Sequence, residues 1–179
     1  MSDPRASPGD LTAKAKIRNA ALDLYADQGE GRVSMRAVAA AAGGVTVGGL
    51  VQHHFKTKEG LRNAVEQLIV DYHAQAIASA PTDGTPPGEV IAERDRAVQR
   101  MLLEHPPVVD YLRRAVLDPA GEHGGALIGR LTELTRSEVT KSRESGLAST
   151  DRSEAVQVVR VMVRQLGGLF LQPMVDAIW

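Results

Sequence analysis

Residues 34–61 read SMRAVAAAAGGVTVGGLVQHHFKTKEGL, and this stretch decides the fold class. Ser34 is a good helix N-cap, and the alanine-rich segment Met35–Ala42 after it favours a short helix. Gly43-Gly44 then breaks the helical pattern. Thr46 is suited to cap a second short helix, Val47–His54. Short helix, glycine turn and short helix together are typical of a helix-turn-helix unit.

The sequence on both sides of this stretch is also helical in pattern. Apolar residues recur at helical spacing, and neither an alternating strand pattern nor an internal repeat is visible. The pattern predicts further helices at 12–28, from Lys58 to about residue 80, and at about 88–104, 107–117, 122–145 and 152–171. We therefore predict an all-α protein with an N-terminal three-helix helix-turn-helix DNA-binding domain and a C-terminal helical domain.

Domain limits follow from these patterns. Residues 1–11 are predicted to form a flexible arm, residues 12–60 the DNA-binding domain, and residues 61–179 a second helical domain. The helix at 152–171 carries more apolar residues than one face needs, so it must be buried on two sides. One side is expected to face its own domain and the other a second subunit. We therefore expect a homodimer, formed by the last two long helices of each subunit.

Composition restricts the class of protein further. The chain has no cysteine, which excludes disulfides, thiolate metal sites and a cysteine nucleophile. Residues 1–60 carry eight Lys or Arg against six Asp or Glu, a net charge of +2, whereas the whole chain has −1. A mildly basic head suits contact with phosphate. No apolar run approaches the ~20 residues that cross a bilayer, and residues 1–11 do not resemble a signal peptide. We expect a cytoplasmic protein without a membrane partner.

Several residues of the second short helix have side chains suited to reading DNA. Gly48-Gly49 in its first turn would let the backbone N–H groups approach a phosphate closely. Gln52 can pair bidentately with adenine, and His53 can meet a base or a phosphate. Phe55 is expected to anchor the helix in the core. Lys58 lies at the start of the next helix, where a cation opposes the helix dipole, so it is a candidate phosphate contact.

Residues 12–70 resemble the DNA-binding head of the TetR (tetracycline-repressor-like) family of transcriptional regulators. The resemblance rests on the apolar pattern from Ile17 to Gly29, on Ser34–Ala39 with Ala42-Gly43, and above all on the closing Leu50–Leu61 stretch with its His-Phe-x-x-Lys-x-x-Leu pattern. It implies that Ser34 and Arg36 contact phosphate, and that Lys58 holds the DNA backbone. It also implies that five residues face the major groove, namely Thr46, Val47, Gly48, Gln52 and His53.

Two departures from the family pattern affect these assignments. Gln52 stands where the family usually has a tyrosine in the recognition helix. The turn also carries one extra residue, either at Gly43-Gly44 or at Gly48-Gly49. The register of residues 46–49 in the recognition helix is therefore open by one position.

The resemblance further implies that the C-terminal helical domain, residues 61–179, is a ligand-binding and dimerisation domain that binds an effector. It also implies a partner and a mode of control. The expected partner is a double-stranded DNA operator with near-palindromic sequence, and the expected control is release of a bound repressor by an unknown small-molecule effector. Candidate residues for lining the effector pocket lie on the helices of the second domain, with His105 and Tyr111 as its polar members; the others are Met101, Leu102, Leu112, Leu127, Leu131, Met162, Leu166 and Phe170. His73 is expected to be exposed on the polar side of its helix.

The alternative functions are a constitutive DNA-binding dimer and a helical enzyme. A constitutive helix-turn-helix dimer without effector control would have the same sequence pattern. A helical enzyme is disfavoured, because no nucleophile elbow, phosphate-binding loop or dinucleotide fingerprint is present. The adjacent His53 and His54 diverge by about 100° on a helix, which does not suit a shared metal. We expect no enzyme activity, no metal and no cofactor.

Overall fold

The computed structural model describes residues 13–43, 45–81, 86–117 and 124–178, without the side chains of 45–48, 50, 87, 124 and 172–176. Within these ranges there is no strand, and the all-α prediction is confirmed. A short 3-10 turn, Glu30–Arg32, follows the first helix. The α-helices of the described ranges are α1 Ala13–Gln28, α2 Met35–Ala41, α3 Val45–Phe55, α4 Lys58–Ala78, α5 Pro87–Glu104, α6 Pro106–Leu117, α7 Gly124–Glu144 and α8 Glu154–Ile178.

The ends of several helices follow directly from the sequence. The Ser34 hydroxyl accepts a hydrogen bond of 3.1 Å from the Ala37 amide, as expected of an N-cap. Gly29 and Gly146 follow α1 and α7 with φ of 79° and 74°, a left-handed conformation that glycine adopts without a steric penalty. Pro106 occupies the first position of α6, where its missing N–H costs no helical hydrogen bond.

Three expectations differ from the structure. Helix α3 begins at Val45, so Thr46 lies within its first turn and is not its cap. Helix α8 begins at Glu154 and continues through Pro173 to Ile178, beyond the predicted end at 171. His73 is buried, not exposed. It lies four residues after Ile69 and three before Ala76, and this spacing places it on the same buried face of α4.

The chain divides into two compact units that are each made of two chain segments. The first unit comprises Met1–Tyr72 and His105–Arg114. In it, α1, α2 and α3 pack on one another, and apolar residues of α4 from Leu61 to Tyr72 are buried. Its buried apolar residues include Ile17, Leu22, Tyr25, Val38, Val51, Phe55, Leu61, Leu68, Val108, Tyr111 and Leu112.

The second unit comprises His73–Glu104 and Ala115–Trp179. Here α8 packs against α7 and α5, and Val158 and Leu169 are buried from its inner side. The other side of α8 exposes Val156, Val159 and Val163. In the described part of the chain, no helix is both long and apolar enough to span a bilayer.

Candidate nucleic-acid interface

Helix α3 has one face buried in the head and one face exposed. Val51 and Phe55 are four residues apart, lie on the same face of the helix, and are both buried. Gln52 and His53 follow Val51 by about 100° and 200° around the axis, and both are exposed. Burial of Val51 and Phe55 therefore fixes which edge of α3 faces outward, and Phe55 is the core anchor that the sequence predicted.

The side-chain amide of Gln52 is already oriented by the protein. Its Nε2 donates a hydrogen bond of 2.8 Å to the carbonyl oxygen of Lys56. A glutamine amide has two N–H donors and one carbonyl acceptor. Gln52 thus keeps one donor and its acceptor for the bidentate contact with adenine that its residue type allows.

A tight corner joins α3 to α4 and sets the position of Lys58. Lys56 has a left-handed backbone with φ of 60°, and the Thr57 amide donates a hydrogen bond of 2.6 Å to the Phe55 carbonyl oxygen. The Thr57 hydroxyl caps α4 by accepting from the Gly60 amide at 2.9 Å. A Cβ on Gly60 would lie 2.2 Å from the Phe55 oxygen, so the corner requires a glycine there.

The remaining predicted DNA contacts lie on α2 and α4. Arg36 is exposed in the first turn of α2, beside the cap residue Ser34. Ser34 is exposed, but its hydroxyl accepts a hydrogen bond from the helix. Lys58 is half-buried at the first position of α4. Lys56 is exposed next to the corner and was not among the predicted contacts. Its position two residues before Lys58 is the sequence feature that could have indicated it.

The first turn of α3 bears on one question that the sequence left open. The helix is continuous through Gly48-Gly49, and Gly43 before it has a φ of 130°. This favours Gly43-Gly44 as the place of the extra residue. The side chains of Thr46 and Val47, and the surroundings of Gly48, lie outside the described residues, so their predicted groove contacts remain predictions. A Cβ on the exposed Gly49 would have no neighbour within 4 Å.

The residues predicted to line an effector pocket divide between the two units. His105, Tyr111 and Leu112 belong to the first unit, where the His105 ring lies 4.2 Å from the Tyr72 ring between centroids. The others belong to the second unit. Of these, Met101, Leu102, Leu127 and Leu131 are buried, while Met162, Leu166 and Phe170 are half-buried. Their role in binding a ligand remains a prediction.

Two buried tyrosines of the first unit have raised pKa values. Burial, with the nearby Glu30 carboxylate, raises the pKa of Tyr25 from 10.0 to about 12, against the opposing effect of Arg62. Burial and the charge of Glu66 raise the pKa of Tyr111 far above its ordinary value. Both phenols are therefore neutral at physiological pH. Tyr111 contributes a neutral polar group within this unit.

A three-helix head that buries one face of α3 and exposes a polar edge of the same helix defines a helix-turn-helix DNA-binding protein. Residues 17–65 match the family model described as "Bacterial regulatory proteins, tetR family". Over 162 residues the chain is 28% identical to the HTH-type transcriptional regulatory protein RaaS of Mycobacterium tuberculosis. The aligned region covers 90% of this chain and 72% of RaaS.

Solved structures share the fold over almost the whole chain. The fatty acid degradation regulator FadR from Bacillus halodurans superimposes with a TM-score of 0.72 at 15% identity, covering 95% of this chain and 88% of FadR. The multidrug binding protein EbrR, complexed with imidazole, gives a TM-score of 0.63 at 20% identity, covering 98% of this chain and 84% of EbrR. Residues 17–65 therefore resemble the DNA-binding head of bacterial regulatory proteins of the tetR family, and the chain shares the fold of these solved structures.

Proposed function

We propose that this chain is a transcriptional regulator of the TetR family, a cytoplasmic repressor that binds a near-palindromic DNA operator as a homodimer and leaves it when a small-molecule effector binds the helical domain. The observation that carries the proposal is the exposed edge of α3 at Gln52 and His53, held outward by the buried Val51 and Phe55. An α-helix exposed in this way fits the major groove, where base edges can be distinguished.

The DNA contacts divide into two kinds. Gln52 and His53, with Thr46, Val47 and Gly48, read bases in the major groove. Charged and polar groups at helix starts hold the phosphates and fix the register of the protein on the duplex; these are Ser34, Arg36 and Lys58.

A second copy of this chain is the proposed partner of α8. Val156, Val159 and Val163 are exposed on one side of this helix, and burying each would contribute about 1.5–3 kcal/mol. A twofold dimer places two recognition helices about one DNA turn apart, ~34 Å, which matches a near-palindromic site.

Effector control requires a difference in affinity between two states. The ligand must bind the DNA-incompetent state of the dimer more tightly, and a coupling of about 1–3 kcal/mol is typical. Support comes from the similarity to EbrR, whose description names it a multidrug binding protein. We place the effector in the domain of residues 61–179.

Selection of bound sequences from a random pool of DNA duplexes tests the proposal. We expect enrichment of a near-palindromic site. In titrations on the selected duplex, Arg36→Ala and Lys58→Ala should each lower the salt dependence of binding by about one unit of slope. Gln52→Ala should cost about 1–3 kcal/mol and relax specificity at one base position.

Arg136→Ala serves as the matched control for these variants. Arg136 is an exposed arginine of α7, in the second compact unit, so its loss should leave affinity and salt dependence unchanged. Failure of the purified protein to bind any duplex at low ionic strength would contradict the proposal.

A further inference from the structure

The second unit contains a cavity of about 280 Å³ that was not anticipated from the sequence. It lies among α5, α7, α8 and the end of α4, and none of the residues predicted to line an effector pocket belongs to its lining. This volume is near the lower end of ligand sites, which commonly span about 300–1,000 Å³. The cavity therefore suits a small molecule. We call it the arginine-lined cavity, after Arg94, Arg160 and Arg164 in its wall.

The cationic side chains of this cavity are only partly neutralised. Arg164 forms an ion pair of 2.5 Å with Asp95, whose carboxylate also belongs to the lining. Glu138 lies 3.8 Å from Arg94. Arg160 is exposed, and no carboxylate of the described residues pairs with it. Three arginines against two carboxylates leave a net charge of +1.

Arg94 is held in place but keeps an unused donor. Its Nη1 donates a hydrogen bond of 2.8 Å to the Ser142 hydroxyl. Its Nε is buried and has no hydrogen-bond acceptor among the described residues. A buried donor without an acceptor costs free energy.

The apolar part of the cavity wall is aliphatic. Ile77, Ile91, Val139 and Val161 contribute branched side chains, and no aromatic residue is part of the lining. Such a surface fits an alkyl chain and gives no stacking platform for a flat ring.

Part of the cavity wall on α8 lies away from the side that we assign to the partner subunit. At about 100° per residue, Val156, Val159 and Val163 lie within a 60° arc. Val161 and Gln165, which line the cavity, lie on nearly the opposite side of the helix. Arg160 lies about 40° from Val156, at the edge of the assigned partner side. Dimer formation through the valines would leave the wall at Val161 and Gln165 intact.

We propose that the arginine-lined cavity binds a small aliphatic monocarboxylate, with its carboxylate near Arg94 and Arg160 and its chain against the isoleucines and valines. This assignment rests on the effector control proposed above, for which it names a ligand class and a site. A monoanion neutralises the net charge of the cavity, and charge-assisted hydrogen bonds to guanidinium are strong.

Calorimetric titration of the full chain with octanoate at neutral pH, without DNA, tests the assignment. Octanoate should bind, and 1-octanol and octylamine should bind at least about tenfold more weakly, which corresponds to about 1.4 kcal/mol. Equal binding of octanoate and octanol would overturn the proposal, because the arginines would then contribute nothing.

Variants locate the binding site. Arg94→Gln and Arg160→Gln should each raise the Kd for octanoate at least about fivefold, and Val161→Phe should abolish binding by filling the cavity. Arg136→Gln, on the same unit but outside the cavity lining, should leave the Kd unchanged. Since Arg94→Gln also removes structural contacts, Arg160→Gln is the decisive variant. An unchanged Kd in Arg160→Gln and Val161→Phe would overturn the proposal.

Operator binding separates this proposal from the one on which it rests. If octanoate binds in the cavity, with the expected variant effects, but leaves operator affinity unchanged, the cavity assignment stands and effector control by this ligand class fails. If octanoate releases the protein from the operator while the cavity variants still bind octanoate with normal affinity, the cavity assignment fails and effector control stands.

Discussion

Arg114 on α6 is bonded to the end of α1, 88 residues earlier in the chain: its guanidinium Nε donates a hydrogen bond of 2.9 Å to the carbonyl oxygen of Ala26. Its Nη2 donates a second, of 2.6 Å, to the carbonyl oxygen of Asp27. Carbonyls in the last turn of a helix have no partner within the helix, and a cation there also complements the helix dipole. Arg114 therefore caps α1 from another element of the same unit.

Arg114→Ala should lower the free energy of unfolding by about 1–2 kcal/mol, because two hydrogen bonds from a charged donor are lost. Urea denaturation followed by circular dichroism measures this. Arg136→Ala removes only an exposed ion pair with Glu133 at 3.8 Å and should cost less than about 0.5 kcal/mol. Equal midpoints for both variants would show that the contact does not stabilise the head.

Gly60→Ala should destabilise the protein by about 1–3 kcal/mol, since a Cβ would lie 2.2 Å from the backbone oxygen of Phe55 and the corner must shift. Gly129→Ala makes the same change inside α7, where a Cβ has no neighbour within 4 Å. It should raise stability by about 0.5–1 kcal/mol. Denaturation midpoints that move in the same direction would refute the steric explanation.

Gly49→Ala should separate the stability of α3 from its affinity for DNA. Its Cβ meets nothing in the protein, so alanine should stabilise the helix by about 0.5–1 kcal/mol. If the backbone approaches a phosphate, the same methyl group should weaken operator binding by about 1–3 kcal/mol. Thermal unfolding and titration of the selected duplex measure the two effects. Unchanged affinity would mean that the backbone at Gly49 does not approach DNA.

The protein should lose stability between pH 10 and pH 12 through Tyr25. The folded pKa of about 12 exceeds the ordinary value of 10.0, so the unfolded chain releases the proton first as pH rises, and the free energy of unfolding falls. The fall should reach about 2–3 kcal/mol. Tyr25→Phe removes this contribution and should cost little at pH 7, because the buried hydroxyl has no hydrogen-bond partner among the described residues. If the free energies of unfolding of the wild type and the variant fall in parallel above pH 10, the loss does not come from Tyr25.

Val163→Glu should dissociate the proposed dimer. The valine is 66% exposed within a single chain, and a carboxylate buried between two subunits without a partner is strongly unfavourable. Sedimentation velocity at micromolar concentration should show a monomer. Leu117→Glu changes a residue that is 74% exposed at the end of α6 and should remain dimeric. A dimeric Val163→Glu variant would remove this side of α8 from the interface.

The sequence predicted the helices well, because local signals define them. Ser34, Thr57 and Gly29 have chemistries that begin or end a helix in any context. The outward edge of α3 was also predictable, since Phe55 could only be a core residue and its neighbours then face outward. The burial of His73 was missed because its residue type outweighed its spacing.

Contacts between distant segments could not be predicted from the sequence. Nothing in the sequence around Arg114 indicates that it bonds to Ala26, and the predicted domain limit after residue 60 separates the two. The arginine-lined cavity was missed for the same reason. Arg94 and Arg160 are polar residues on different helices, and an apolar criterion for pocket residues passes over both.

The first unit is built from two separate chain segments, and this affects both its synthesis and its truncation. Its interior includes Val108, Tyr111 and Leu112, which leave the ribosome some forty residues after Tyr72. The nascent DNA-binding portion therefore stays incomplete until α6 has been synthesised. A fragment that stops at residue 60 or 72 would lack these apolar side chains, and a shortened DNA-binding protein would need a replacement for them.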